Sequence, residues 1–199
     1  MKSLLCIFSF FLFLSCRDNT ENIKVIAKDS LKTKEKQNRR WDTLYISSYK
    51  EVYVLGDSTT KQIDYVSTKF EPHILFSDFP AHINSQRKQA TINWNSNIEA
   101  KEFKTRITET YKNKGVNFAG HYCFVDWGCG SPCQSSVVID VLTGKIYDGI
   151  SASLGYDFKT DSRMIIVNPP DSTGYFLDCA YCKPIIYIWD ENTKKFVER

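Results

Sequence analysis

Five cysteines lie in the C-terminal half of this 199-residue chain, Cys123, Cys129, Cys133, Cys179 and Cys182, and their fate constrains the fold more than any other feature. Cys129-Gly-Ser-Pro-Cys133 is turn-forming, so the chain can fold back and bring two Cα atoms within the roughly 4.4–6.8 Å of a disulfide. Cys179-Ala-Tyr-Cys182 is similarly close in sequence. The rival connectivity ties one pair to the other and closes roughly 50 residues, which constrains the unfolded chain more than a local bridge does. Spacing leaves both open. Two functional readings compete with staples. Cys129, Cys133, Cys179 and Cys182 could supply the four thiolates of a zinc site. Cys179-Ala-Tyr-Cys182 could be a redox pair, but that chemistry wants its first thiol at a helix N-terminus, and the strand-like Ile185–Trp189 run follows instead. The compartment arbitrates, because oxidising surroundings favour disulfides.

The N-terminus speaks to the compartment. Lys2 supplies a positive start, and Leu4 to Leu14 is apolar except for Ser9, with Cys6 counted as apolar. An apolar core of about 7–15 residues is a signal peptide's, and it is short of the about 20 residues that span a membrane. Leu12-Phe13-Leu14-Ser15-Cys16 resembles the lipobox of bacterial lipoproteins, with Phe13 departing from its usual small aliphatic residue. That resemblance implies cleavage after Ser15 and acylation (palmitate among the chains) of Cys16. Two or more acyl chains make a stable anchor where one is marginal. Arg17 rather than Asp follows the cysteine, which points to the outer membrane, facing the periplasm or the cell surface. Export then turns the later cysteines into expected disulfides.

Residues 1–15 are accordingly expected to be a lipoprotein signal peptide, 16–41 an anchor and flexible tether, and 42–199 a single disulfide-bearing domain. The tether alternates Lys24, Lys28, Lys32, Lys34, Lys36, Arg39 and Arg40 with Asp29, Glu35 and uncharged polar residues. So few apolar groups cannot offset the entropy of ordering. Losing Lys2 takes the formal net charge from +3 to about +2, a balance that predicts no nucleic-acid partner.

Short β-type runs begin at Leu44-Tyr45-Ile46 and Val52–Leu55, then Ile63 and Tyr65 at alternating spacing, with a turn signal at Gly56-Asp57-Ser58. Pro72 and Pro80 bracket a loop with His73, Phe76 and Phe79. Ser96 and Glu99 have the spacing of a capping box, and Ala100, Phe103, Ile107 and Tyr111 then repeat at helical spacing. Lys112, Lys114 and Gly115 suit a helix end. An amphipathic helix over 97–114 is expected. Strands follow at Phe118–Trp127, Ser136–Leu142, Lys145–Tyr147, Arg163–Val167, Pro184–Trp189 and Lys195–Val197, with a tight turn at Leu142-Thr143-Gly144-Lys145. The expected class is α+β, built on an antiparallel sheet.

His121, Asp126 and Cys129 are the residue types of a thiol-nucleophile site. Side chains alternate along a strand, so His121, Cys123, Val125 and Trp127 share one face while Asp126 points to the other. His121 and Asp126 therefore cannot pair within one regular strand. His121 is expected as a core or cleft-lining residue beside Trp127, with His121, Cys123 and Cys129 the remaining weak catalytic candidates. Gly120, Gly128 and Gly130 read as close approaches or sharp turns.

Asn117-Phe118-Ala119-Gly120-His121-Tyr122, then Trp127-Gly128-Cys129-Gly130-x-x-Cys133, then Asp140-x-x-Thr143-Gly144-Lys145-Ile146-Tyr147 resemble an uncharacterised family of bacterial envelope lipoproteins and exported proteins. The likeness runs from roughly Phe79 to Val197. It includes Asp161-Ser162-Arg163 before an apolar run and an aromatic strand ending at Trp189. It implies envelope localisation and a disulfide-bearing domain, with no activity to carry over; Cys123 departs from the pattern. The expectation is a non-enzymatic binding or interaction module on a lipid anchor, needing no cofactor or metal, whose partner is an envelope protein or glycan. The alternative is a small hydrolase or thiol–disulfide oxidoreductase using His121 and a cysteine.

Overall fold

The computed structural model describes residues 41–46, 50–55, 63–84 and 88–199. The expected signal peptide and lipobox with Cys6 and Cys16, the expected tether up to Arg40 and the expected Gly56-Asp57-Ser58 turn lie outside the described residues; Trp41, expected as the tether's last residue, opens a strand instead.

The fold is strand-rich α+β, with three antiparallel sheets and one α-helix among the described residues. β1 (Trp41–Ile46), β2 (Lys50–Leu55) and β3 (Ile63–Lys69) form one sheet in sequence order. Glu99–Phe103 is a 3-10 turn that leads directly into α1 (Lys104–Lys114). β4 (Tyr122–Gly130), β5 (Cys133–Asp140) and β6 (Ile146–Asp148) make a second sheet in that order. β7 (Tyr156–Phe158), β8 (Met164–Val167), β10 (Ile185–Asp190) and β11 (Lys195–Glu198) make the third, ordered β11-β10-β8-β7. β9 (Tyr175–Leu177) leaves that run and pairs with β3.

The helix start differs from the sequence expectation. Ser96 does not cap it: its Oγ donates to the Asn93 carbonyl and accepts the Ile146 N–H at 2.8 Å. A long-range backbone donor has taken the oxygen that a capping box would use. Asn97 caps instead, its Oδ1 accepting the Ala100 N–H at 3.1 Å, the role short polar side chains fill at helix starts.

Packing follows strand alternation. Cys123, Val125 and Trp127 of β4, with Val137 and Ile139 of β5, bury against Ala100, Ile107 and Tyr111 of the helical segment. Tyr122, Phe124 and Val138 bury on the opposite face, against Ile165 and Trp189 of the third sheet. The β4–β5 pair is thus covered on both faces, and its apolar runs are nearly continuous for that reason. The third sheet in turn buries Met164, Ile166, Ile186 and Ile188 under Phe70, directly after β3, and Ile74, Phe76 and Phe79 from the Pro72–Pro80 loop. The turn at 142–145 forms as read: Gly144 has φ +75, its N–H reaches the Asp140 carbonyl, and the Asp140 carboxylate accepts from Leu142 N–H and Thr143 Oγ1.

Candidate functional site

The stretch that most invites a catalytic reading braces the two stacked sheets. The Asn117 amide clamps the Phe124 backbone from both sides, donating to its carbonyl at 3.0 Å and accepting its N–H at 2.7 Å. Phe118 is fully buried, with rings of Phe124, Phe158 and Phe196 within 6.0 Å, centroid to centroid. Ala119 N–H reaches the Ser162 carbonyl and Gly120 N–H the Thr160 carbonyl at 2.7 Å. Gly120 has φ +80, and a Cβ there would collide with the His82 carbonyl, so only glycine fits.

His121 sits in the turn before β4, half buried, with its ring 4.1 Å from that of Tyr122. It is not beside Trp127, as the strand reading expects. β4 begins only at Tyr122, and six residues of strand put Trp127 roughly 20 Å further on. Asp126 does fall on the other face, lining a cavity with Phe124 and Phe158. Gly130 turns the chain with φ +131, but Gly128 faces open space and makes no close approach.

Cys129 is bonded to Cys133 and Cys179 to Cys182, with Cα atoms 5.1 Å apart in each pair. The connectivity is the local one. A sulfur held in a disulfide is neither a thiolate nucleophile nor a metal ligand. Cys123 is the free cysteine among the described residues, and it is fully buried against α1. Burial pushes its thiol from the ordinary 9.0 up to about 12, because desolvation disfavours the charged form. Burial likewise raises the phenols of Tyr111, Tyr122 and Tyr156 from 10.0 to about 12. All four groups hold their protons more tightly folded than unfolded. Their contribution to stability is complete below about pH 9 and is lost as pH climbs towards 12. The thermal midpoint should therefore be insensitive to these groups at pH 8 and fall progressively above pH 9–10. Iodoacetamide should label Cys123 only on unfolding. Rapid labelling of Cys123 in the folded protein at pH 8 would contradict the sealed site.

One concave surface borders the motif stretch, a cavity of about 400 Å³ lined by Asn117, Phe124, Asp126 and Arg106, and another lies where the helical segment meets the β5–β6 end. A cleft of about 240 Å³ is lined by Asn97, Glu99, Phe103, Trp127, Ser135 and Asp148. Phe103 stands at the junction of the 3-10 turn and α1 and stacks on Trp127 with ring centroids 4.5 Å apart. Asn97, while capping, also donates through Nδ2 to Asp148 Oδ1 at 2.8 Å, so one side chain ties the helix start to the end of β6. Trp127 is nine-tenths buried and its Nε1–H has no acceptor among the described residues, a state that costs about 1–3 kcal/mol. Gly149 permits the floor: a Cβ there would collide with Ser136, whose Oγ both donates to and accepts from the backbone of Ile150.

Ser151 also lines a second groove of about 360 Å³, framed by Pro132 and Cys133 of one disulfide loop and Tyr181 and Lys183 of the other, with Tyr187 alongside. Asn168 assembles that groove. Nearly buried and at φ +54, it accepts the N–H groups of Ser153 and Leu154 and donates to the Tyr181 and Lys183 carbonyls. Local sequence gave little signal for Asn97, Phe103, Asp148, Asn168 or Tyr181, because each gains its role from partners distant in the chain. Of the residues singled out by motif, Trp127 and Cys133 also line the two clefts, while Phe118, Gly120, Cys123 and Cys129 are placed in core, turn and staple. No family model, curated protein or solved structure matches the chain.

Proposed function

We propose that the chain is an envelope lipoprotein of the exported family its motifs resemble, held to the membrane through Cys16. Its domain is a non-enzymatic binding module. The observation that carries the binding role is the pair of clefts sharing Ser151. They lie where both disulfide loops and the helix start converge. Against the enzyme alternative stand the paired Cys129 and Cys133 and the sealed Cys123 thiol, which leave His121 no accessible thiol to work with among the described residues.

Thiol titration of the processed protein separates the readings. The binding module predicts no reactive thiol among the domain's five cysteines when native, one in denaturant without reductant, and five after reduction. A freely reactive Cys129 with a depressed pKa would overturn the binding reading in favour of the thiol enzyme. For the anchor, Cys16→Ser should leave an unprocessed precursor or release the protein from the membrane fraction. A normally processed, membrane-bound Cys16→Ser protein would refute it.

A further inference from the structure

The chemistry of the Phe103–Trp127 cleft narrows its occupant. No lysine or arginine lines it, while Glu99 and Asp148 do, so phosphate, sulfate and carboxylate ligands are repelled. Asp148 accepts one hydrogen bond among the described residues, from Asn97, leaving carboxylate acceptor capacity for hydroxyl donors. Hydrogen bonds to an ionised acceptor are the stronger kind. Asn97 keeps a second N–H as a donor, and Ser135 and Ser151 add hydroxyls. Phe103, about one-third exposed, offers the negative face of its ring to polarised C–H groups. The same two carboxylates would attract a cation, so a polyamine is the rival occupant that the test separates from a neutral sugar. The cleft volume of about 240 Å³ is below the roughly 300–1,000 Å³ of drug-sized sites, which suits a single ring.

We propose that this cleft binds a neutral pyranose unit, its C–H face on Phe103 and its hydroxyls bonded to Asp148, Glu99 and Asn97. Ser151 also lines the groove beside Tyr181 and Tyr187, so a linear oligosaccharide seated at Phe103 continues into it. This assignment rests on the binding-module reading and adds the ligand class.

The test is calorimetric titration of the full processed protein in phospholipid vesicles free of glycolipid. The probes are linear tetrasaccharides of glucose and of N-acetylglucosamine, a uronic-acid tetramer and spermidine. At least one neutral tetrasaccharide should bind with Kd on the order of 10⁻⁴ M, and the uronate should not. Phe103→Ala and Asp148→Asn, the second keeping an acceptor for Asn97, should each weaken binding about tenfold or more. Asp148→Asn should do so without shifting the thermal midpoint, whereas Phe103→Ala also lowers it by removing the stack on Trp127. Binding of spermidine alone would overturn the proposal. So would neutral-sugar binding indifferent to both variants, or none up to about 10 mM. In those cases an envelope partner retained by the wild type and lost with Tyr181→Ala would leave the binding-module reading standing. Without one, both fall together.

Discussion

Phe118→Ala should destabilise the domain by about 3–5 kcal/mol, the range for deleting a fully buried aromatic ring. The Phe118 ring has no exposed surface and is ringed by Phe124, Phe158, Trp189 and Phe196. Backbone bonds from Ala119 and Gly120 to Ser162 and Thr160 hold the chain on either side, so the site has little freedom to collapse around the cavity. Ordinary domains have only about 5–15 kcal/mol to lose, so Phe118→Leu, nearer in volume, gives a second point at roughly 1–1.5 kcal/mol. Urea denaturation reads both as a shift in midpoint with unchanged slope. His121→Ala, two residues after the Gly120 neighbour Ala119 but only half buried, should cost less than about 1 kcal/mol. A reversed ranking would mean that the motif is organised around the histidine and would reopen the catalytic reading.

Asn168→Ala should cost about 2–4 kcal/mol and loosen the second groove. Removing the amide strands two backbone N–H groups and two carbonyls that it pairs, at about 1–3 kcal/mol for unsatisfied buried groups. The φ of +54 adds strain, since asparagine tolerates left-handed backbone better than alanine. Asn168→Gly relieves that strain while leaving the hydrogen bonds unmade, so it should recover only part of the loss. Amide exchange is the direct measurement: Ser153 and Leu154 should lose protection before the third sheet does. Unchanged protection at both residues in Asn168→Ala would show that the Ser153–Leu154 segment is held by something else.

Much of the fold was legible locally. Ile107 and Tyr111 bury at helical spacing, Gly144 turns the β5–β6 connection, and Cys123, Val125 and Trp127 alternate with Tyr122 and Phe124. These features depend on neighbours within a few residues. Two short strands, β7 and β9, were not legible: β6 is as short but is marked by the tight Gly144 turn that joins it to β5, whereas β9 pairs with β3, far back in the chain. The Ser96–Glu99 box failed for a different reason. Its spacing was correct, but Ile146, fifty residues on, competes for the same hydroxyl.

The residue types by themselves determined the strand-and-turn rhythm, the class of fold and the proximity of each cysteine pair. The expectation of an anchor at Cys16 likewise rests on sequence alone, on an apolar run of the right length before a cysteine. Which cysteines bond, where His121 points and where the clefts lie were decided only by tertiary structure. Phe103 meets Trp127, and Asn97 meets Asp148, across layers that chain proximity does not join. Spacing encodes what a residue does to its own turn or strand; a binding surface is made by what packing brings against it.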